Sequence, residues 1–157
     1  MPGRSFGERG GWWVLGQFAL LAAIILAPGG SPSRWPAPAP LWRASGAVLL
    51  AAAAAVLTAG TRALGKRLTP FPRPLEESTL VTTGIYRYVR HPLYFGVILA
   101  SIGIALLKTS LPALILTAVL IAFFNAKAER EETWLLAQFP EYENYRRKSR
   151  KFLPFVL

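Results

Sequence analysis

At 157 residues the chain has room for one domain, and its 53% hydrophobic content exceeds the roughly 45–50% of an average soluble domain, so an all-α integral membrane protein is the first reading. With no cysteine, a disulfide framework, a thiolate metal site and a cysteine nucleophile are excluded, and one histidine, His91, gives metal chemistry no support. The net charge of +10 points to anionic lipid headgroups and away from nucleic acid, because the basic residues flank apolar runs instead of lining one face of a polar module.

Four charge-free apolar runs, residues 14–27, 44–60, 93–107 and 111–125, read as about four transmembrane helices. Each is shorter than the ~20 residues that cross a ~30 Å hydrocarbon core. Trp12, Trp13, Trp42, Tyr88 and Tyr94 stand at their flanks, where interfacial rings extend a span. Arg4 and Arg9 ahead of the first run also fit a signal peptide, but Ile25-Leu26-Ala27 before Pro28 makes a poor cleavage site, which favours a retained helix.

The 28–40 connection, rich in proline, glycine and alanine, reads as a spacer. The basic residues Arg62, Lys66, Arg67, Arg73, Arg87 and Arg90 fall between the second and third runs, with a second group, Lys127, Arg130 and Arg146 to Lys151, after the fourth. Arg34, Arg43 and Lys108 are the few cations on the other connections, so both termini and the 61–91 loop are expected in the cytoplasm. Alternating prolines in Thr69-Pro70-Phe71-Pro72-Arg73-Pro74 predict an extended segment laid along the membrane surface. Residues 1–63 then form two membrane helices and a spacer, and 64–157 a helical hairpin with a C-terminal cytoplasmic helical segment.

The third run opens on Pro92, welcome in a first helical turn because its missing N–H has no partner there, and places His91 near the N-cap. With Arg90 alongside, this helix start suits a carboxylate or phosphate; Arg87, Arg90 and the tyrosines also read as plain interfacial anchors. Gly96, Ala100 and Gly103 share one stripe of small residues, to which the 51–55 alanine run offers a slim partner. If the fourth helix continues through 126–138, Glu131 has Lys127 four residues earlier for an ordinary solvated pair. Glu132 has only Ala128, Glu129, Leu135 and Leu136 as helical neighbours, so it invites either a basic residue from across the fold or a ligand ammonium. Tyr142 and Tyr145 sit three apart on a short helix after Phe139-Pro140, and suit stacking on a flat ring or packing against the bilayer. Arg146-Arg147-Lys148 with Arg150 and Lys151, followed by Phe152-Leu153-Pro154-Phe155, reads as a headgroup-binding surface.

Taken together, Gly84-x-Tyr86-x-x-Val89-Arg90-His91-Pro92-x-Tyr94-x-Gly96, then Glu131-Glu132-x-x-Leu135 and Tyr142-x-x-Tyr145, resemble the isoprenylcysteine carboxyl methyltransferase and phospholipid methyltransferase superfamily, in a form closer to its isoprenylcysteine branch. The resemblance implies a membrane-integral helical enzyme that binds S-adenosylmethionine at the cytoplasmic face. By that likeness Arg90, His91, Pro92, Tyr94, Gly96, Glu131, Glu132, Tyr142 and Tyr145 line the cofactor site of an enzyme that methylates a lipophilic or small acceptor. A carboxylate acceptor is already nucleophilic at neutral pH and needs an orienting cation, for which Arg87 or Arg146 is the candidate. Pro140 stands where the family commonly has glycine, and Lys148-Ser149-Arg150 where it often has a Val-Pro step, so the tail is expected to cover the site differently. A phospholipid N-methyltransferase or thiol S-methyltransferase is the alternative within the superfamily. A channel is disfavoured because no apolar run holds an ionisable group; a non-catalytic adaptor has no use for the Arg-His-Pro and Glu-Glu pairing.

Overall fold

Proline and serine set the helix starts. The first helix, α1, covers Gly11–Leu26; α2 (Ala39–Leu64), α3 (Pro92–Leu107) and α4 (Leu111–Gln138) each carry proline at the first or second helical position, and α5 (Tyr142–Lys148) is a short final helix. Ser110 caps α4, its hydroxyl accepting from the Ala113 amide at 3.2 Å. The computed structural model describes residues 5–31, 35–36, 38–73 and 79–152, and among these there is no β-strand, only a single parallel bridge between Val89 and Arg150. Pro74, Ser78 and Leu153-Pro154-Phe155 belong to segments read above from sequence and lie outside the described residues.

The α2 helix, with 26 residues, and α4, with 28, rise about 39–42 Å at ~1.5 Å per residue and are long and apolar enough to cross a membrane. The apolar helices α1 and α3 have 16 residues each, about 24 Å, short of a ~30 Å core. All four run antiparallel in sequence order, so the 65–91 connection and the residues after α4 gather at one end of the bundle, and 28–30 and 108–110 at the other. The fourth helix does continue unbroken past its apolar run through the acidic residues.

The small-residue stripe of α3 does face α2. A Cβ on Gly103 would lie 2.9 Å from the Gly46 carbonyl oxygen, and one on Gly96 2.7 Å from Leu57 Cγ. The matching surface on α2 is not the alanine run, of which only Ala53 is buried; it is Gly46, Ala53 and Gly60, seven residues apart, two turns each. On the opposite side of α3, the core comprises Ile24, Ile98, Leu120 and Phe124 from α1, α3 and α4. The proline-rich segment turns inward. Pro72 is fully buried against Gly10, and Phe71 meets Phe6 edge-on at 6.0 Å with the Arg9 guanidinium 4.0 Å over its ring, so this segment forms a wall of the protein.

Candidate functional site

At the basic end, Arg90 and His91 immediately precede α3, while Glu131 and Glu132 project from the extension of α4. Glu132 is 5% exposed, and three side chains converge on it: Arg90 Nε at 2.9 Å and His91 Nε2 at 3.1 Å on one oxygen, Arg146 Nε at 3.3 Å on the other. The cation that Glu132 invites is thus supplied across the fold. Equally, the anion that meets the start of α3 is the protein's own carboxylate. Burial of an ion pair stabilises only when its remaining hydrogen-bonding capacity is met, and Arg90 meets it by donating also to the carbonyl oxygens of Arg146 (3.0 Å) and Ser149.

The tail closes over this cluster. After α5 the backbone becomes extended at Ser149, and three hydrogen bonds zip it to the segment before α3: the Arg150 amide to Tyr88 O (2.9 Å), the Arg90 amide to Arg150 O (2.7 Å) and the His91 amide to Lys151 O (3.1 Å). Tyr145 adds a fourth tie, its hydroxyl donating to Tyr86 O at 2.6 Å. Arg147 pairs with Glu143 and Lys151 with Glu129, so two further tail cations meet the protein's own carboxylates.

Glu131 has a different environment from its neighbour. Its carboxylate accepts from the Tyr94 hydroxyl at 2.7 Å and lies 3.7 Å from His91 Nδ1. Behind it the rings of His91, Tyr94 and Phe124 form a column, stacked at 5.3 Å and 4.6 Å, which holds Tyr94 in register.

Two adjoining chambers open on this arrangement. The smaller, 130 Å³, is walled by Phe71, Tyr86, Leu135, Phe139, Tyr142 and Tyr145, with Arg67 and Arg90 among its polar groups. The larger, 390 Å³, lies between Gln17 of α1, Leu57 and Thr61 of α2, Leu93 and Val97 of α3, and Lys127 of α4. Phe71, Tyr86, Arg90 and Glu131 line both, so Glu131 is the carboxylate at their common wall. In the smaller chamber Tyr142, 1% exposed, presents a buried hydroxyl without a hydrogen-bond partner among the described residues. Burial, aided by the charge of Glu132, pushes that hydroxyl's pKa well up, and burial pushes the one of Tyr145 up to about 12, so both are donors at neutral pH.

The residues singled out in the sequence divide by position. Arg90, Glu131, Tyr142 and Tyr145 line the smaller chamber, and Arg90, His91, Tyr94 and Glu131 the larger. Glu132 and Arg146 lie behind Arg90 and line neither. Pro92 and Gly96 pack against α2, and Arg87 is exposed beside Tyr145 and Lys148 in a third depression. The tyrosines of α5 pack inward, Tyr142 buried and the Tyr145 hydroxyl bonded to Tyr86 O.

Lys127 departs from the solvated-pair reading. It is 1% exposed, and its ammonium donates to Gln17 Oε1 at 2.6 Å and to Pro70 O at 3.3 Å, with no bond to Glu131. Its stem reaches Gln17 of α1, while Glu131, one turn further along the same helix, bonds Tyr94. Gln17 and Phe71 were also missed as lining residues; Gln17 had a signal, being the single polar side chain within the first apolar run.

The phospholipid methyltransferase family matches this chain over residues 41–142. The protein-S-isoprenylcysteine O-methyltransferase of Schizosaccharomyces pombe is 37% identical over 83 residues, 52% of this chain and 35% of that protein. A probable protein-S-isoprenylcysteine O-methyltransferase of Oryza sativa subsp. indica is 36% identical over 83 residues, 52% and 44% of the two chains. The cobalt-zinc-cadmium resistance protein CzcN of Cupriavidus metallidurans is 34% identical over 80 residues, 50% and 37%. In each case the similarity spans less than half the length of the relative.

Proposed function

The chain belongs to the phospholipid methyltransferase family, and from that premise we propose that it is a membrane-embedded methyltransferase, using S-adenosylmethionine at the cytoplasmic face to methylate a lipophilic or small acceptor. The observation that carries this reading is the pair of chambers meeting at Glu131, one aromatic and polar, the other mainly apolar.

The donor set suits the cofactor's chemistry. Phe71, Tyr86 and Tyr145 offer faces for a flat ring, Glu131 a carboxylate for a cation, Arg67 and Arg90 guanidinium groups for a carboxylate, and the orphaned Tyr142 hydroxyl a donor awaiting an acceptor. At 130 Å³ the smaller chamber is a niche for part of such a ligand, while the larger falls within the ~300–1,000 Å³ typical of small-molecule sites. S-adenosylmethionine, when bound, supplies an electrophilic methyl group on a sulfonium centre. The protein's contribution is placement: Glu132 fixes Arg90 and His91, the ring column fixes Tyr94, and Tyr94 holds Glu131 at the shared wall. Holding two reactants at attack distance removes entropy from the barrier, worth as much as ~7–11 kcal/mol in well-oriented systems. An acceptor carboxylate needs only orientation, whereas an amine or thiol also needs a proton removed, for which Glu131 is the carboxylate within the chamber.

The antiparallel order and the excess of basic residues at the site end support a reading of four spans with both termini cytoplasmic. The exposed cations Arg87 and Lys148 would face anionic headgroups there. Ser110 and Ser149 are buried, so a labelling test belongs on exposed positions instead: Ser31→Cys, Thr79→Cys and Asn144→Cys in this cysteine-free chain, reacted with an impermeant thiol reagent in sealed vesicles. Thr79 and Asn144 should label from one side and Ser31 from the other. All three on one side would mean that the hairpin does not cross.

The activity reading is tested by calorimetry with S-adenosylmethionine on detergent-solubilised protein. Binding of roughly micromolar strength is expected, weakened about tenfold in Glu131→Gln. No binding by a folded, monodisperse sample would overturn it.

A further inference from the structure

The aromatic wall that the two chambers share is held from outside them. Phe71 lines both, and the side chains packed on its ring belong to a turn ahead of α1. That turn closes on itself: the Ser5 amide donates to Glu8 Oε2 at 2.7 Å and the Glu8 amide to the Ser5 hydroxyl at 3.4 Å, while the Gly10 and Gly11 amides return to the carbonyl oxygens of Gly7 and Phe6, each at 2.9 Å. Gly10 takes a left-handed φ of 81°, and a Cβ there would lie 2.6 Å from Pro72 Cγ and 3.2 Å from Trp134 Cη2. A glycine therefore lets the turn seat between the proline-rich segment and α4. From that seat Phe6 meets the Phe71 ring edge-on, Arg9 lays its guanidinium over it, and the Arg73 side chain donates to Glu8 O at 3.2 Å. Residues 68–73 belong to no helix, and Pro70 and Pro72 have no amide to donate, so side-chain contacts fix where Phe71 stands. The Ser5–Gly10 turn lies outside residues 41–142, so the family likeness assigns it no role.

We propose that Phe6 and Arg9 are positioning residues for the methyl donor, acting through Phe71: they hold its ring in place as a stacking face and so set donor affinity without touching the ligand. This rests on the reading that S-adenosylmethionine occupies these chambers. Neither Phe6 nor Arg9 is among the residues that line them. Their effect is on the cost of binding, because a ring fixed before the ligand arrives loses little freedom when the ligand stacks on it.

The test is a double-mutant cycle on the full chain in non-ionic detergent, with S-adenosylmethionine affinity measured by calorimetry. Phe6→Ala and Arg9→Gln should each weaken binding about three- to tenfold, whereas Phe6→Tyr, which keeps an aromatic edge, should bind within about twofold of wild type. In a Phe71→Leu background, itself weaker, neither Phe6→Ala nor Arg9→Gln should cost further affinity, because the ring through which they act is gone. A brace that served stability alone would lower the melting temperature in both backgrounds and leave affinity unmoved. Amide hydrogen exchange without the donor gives a second reading: in the Phe6→Ala, Arg9→Gln double variant it should quicken severalfold at Leu68, Thr69, Phe71 and Arg73 and stay unchanged across α5. With wild-type binding intact, unmoved affinity in the variants, or losses that add to that of Phe71→Leu, overturns the proposal and leaves the methyltransferase reading standing. A wild type that does not bind S-adenosylmethionine removes that reading and with it the donor role, even where exchange shows that Phe6 and Arg9 hold the wall.

Discussion

The two ends of the α3–α4 hairpin are built by different physics. At the turn, Ser110 donates to Pro28 O at 2.6 Å and caps α4, Thr109 donates to Gly30 O at 3.0 Å, the Gly30 amide returns a bond to Lys108 O, and the Lys108 ammonium reaches the carbonyl oxygens of Ile25 and Ala27. Hydroxyls and backbone satisfy one another, and the turn is closed around Ser110 at 0% exposure. At the other end, buried charges hold one another, a buried tyrosine hydroxyl has no partner among the described residues, and two chambers open beside it. Structure is completed at the turn, whereas at the site it is left incomplete where a ligand would fit.

This contrast can be broken by substitution. The largest effect is expected for Glu132→Gln, which strands Arg90 and His91 without their buried counter-charge; loss of about 3–5 kcal/mol of stability follows, read as a fall in thermal midpoint in detergent. Glu131→Gln should cost far less stability while weakening the donor more, because Glu131 faces the chambers and Glu132 does not. Equal thermal losses would mean that the two carboxylates share one structural role.

On the turn half, Gly46→Ala should cost about 1–3 kcal/mol, since its Cβ would sit 2.8 Å from the Gly103 carbonyl oxygen, a backbone atom that cannot step aside. Gly96→Ala, nearer the site, meets the end of the Leu57 side chain and should cost less. The reverse order in thermal unfolding would show that α2 and α3 slide more easily at the turn end.

A smaller loss, about 1–2 kcal/mol, is expected for Ser110→Ala, which removes both the α4 cap and the bond to Pro28. Donor affinity should not change. A parallel loss of S-adenosylmethionine binding in calorimetry would couple the two ends and dissolve the distinction between them.

Least disruptive is Tyr142→Phe. Its hydroxyl has no partner among the described residues, so stability should hold within about 0.5 kcal/mol or rise slightly. The affinity for S-adenosylmethionine should fall severalfold if the ligand accepts that bond. Unchanged affinity in calorimetry would remove Tyr142 from the contacts while leaving the chamber intact.

The sequence by itself determined the helical hairpin, because charge-free runs bounded by proline and serine starts have few other ways to satisfy their backbone. It also marked Arg90, His91, Glu131, Glu132, Tyr142 and Tyr145 as one constellation, since Glu132 had no local counter-charge and the motif spacing was distinctive. Only the tertiary structure decided which members of that constellation face a chamber. Helical spacing reports neighbours on one helix, and Glu131 and Glu132 differ by 100° of rotation, enough to send one toward Arg90 and the other toward Tyr94. The same limit hid Lys127, whose stem reaches Gln17 across 110 positions of sequence, and the tail bridge at Arg150, which depends on backbone pairing that side-chain patterns do not encode. Contacts between distant segments are set by how whole helices pack, and a linear pattern contains only the propensities of each segment to present a face.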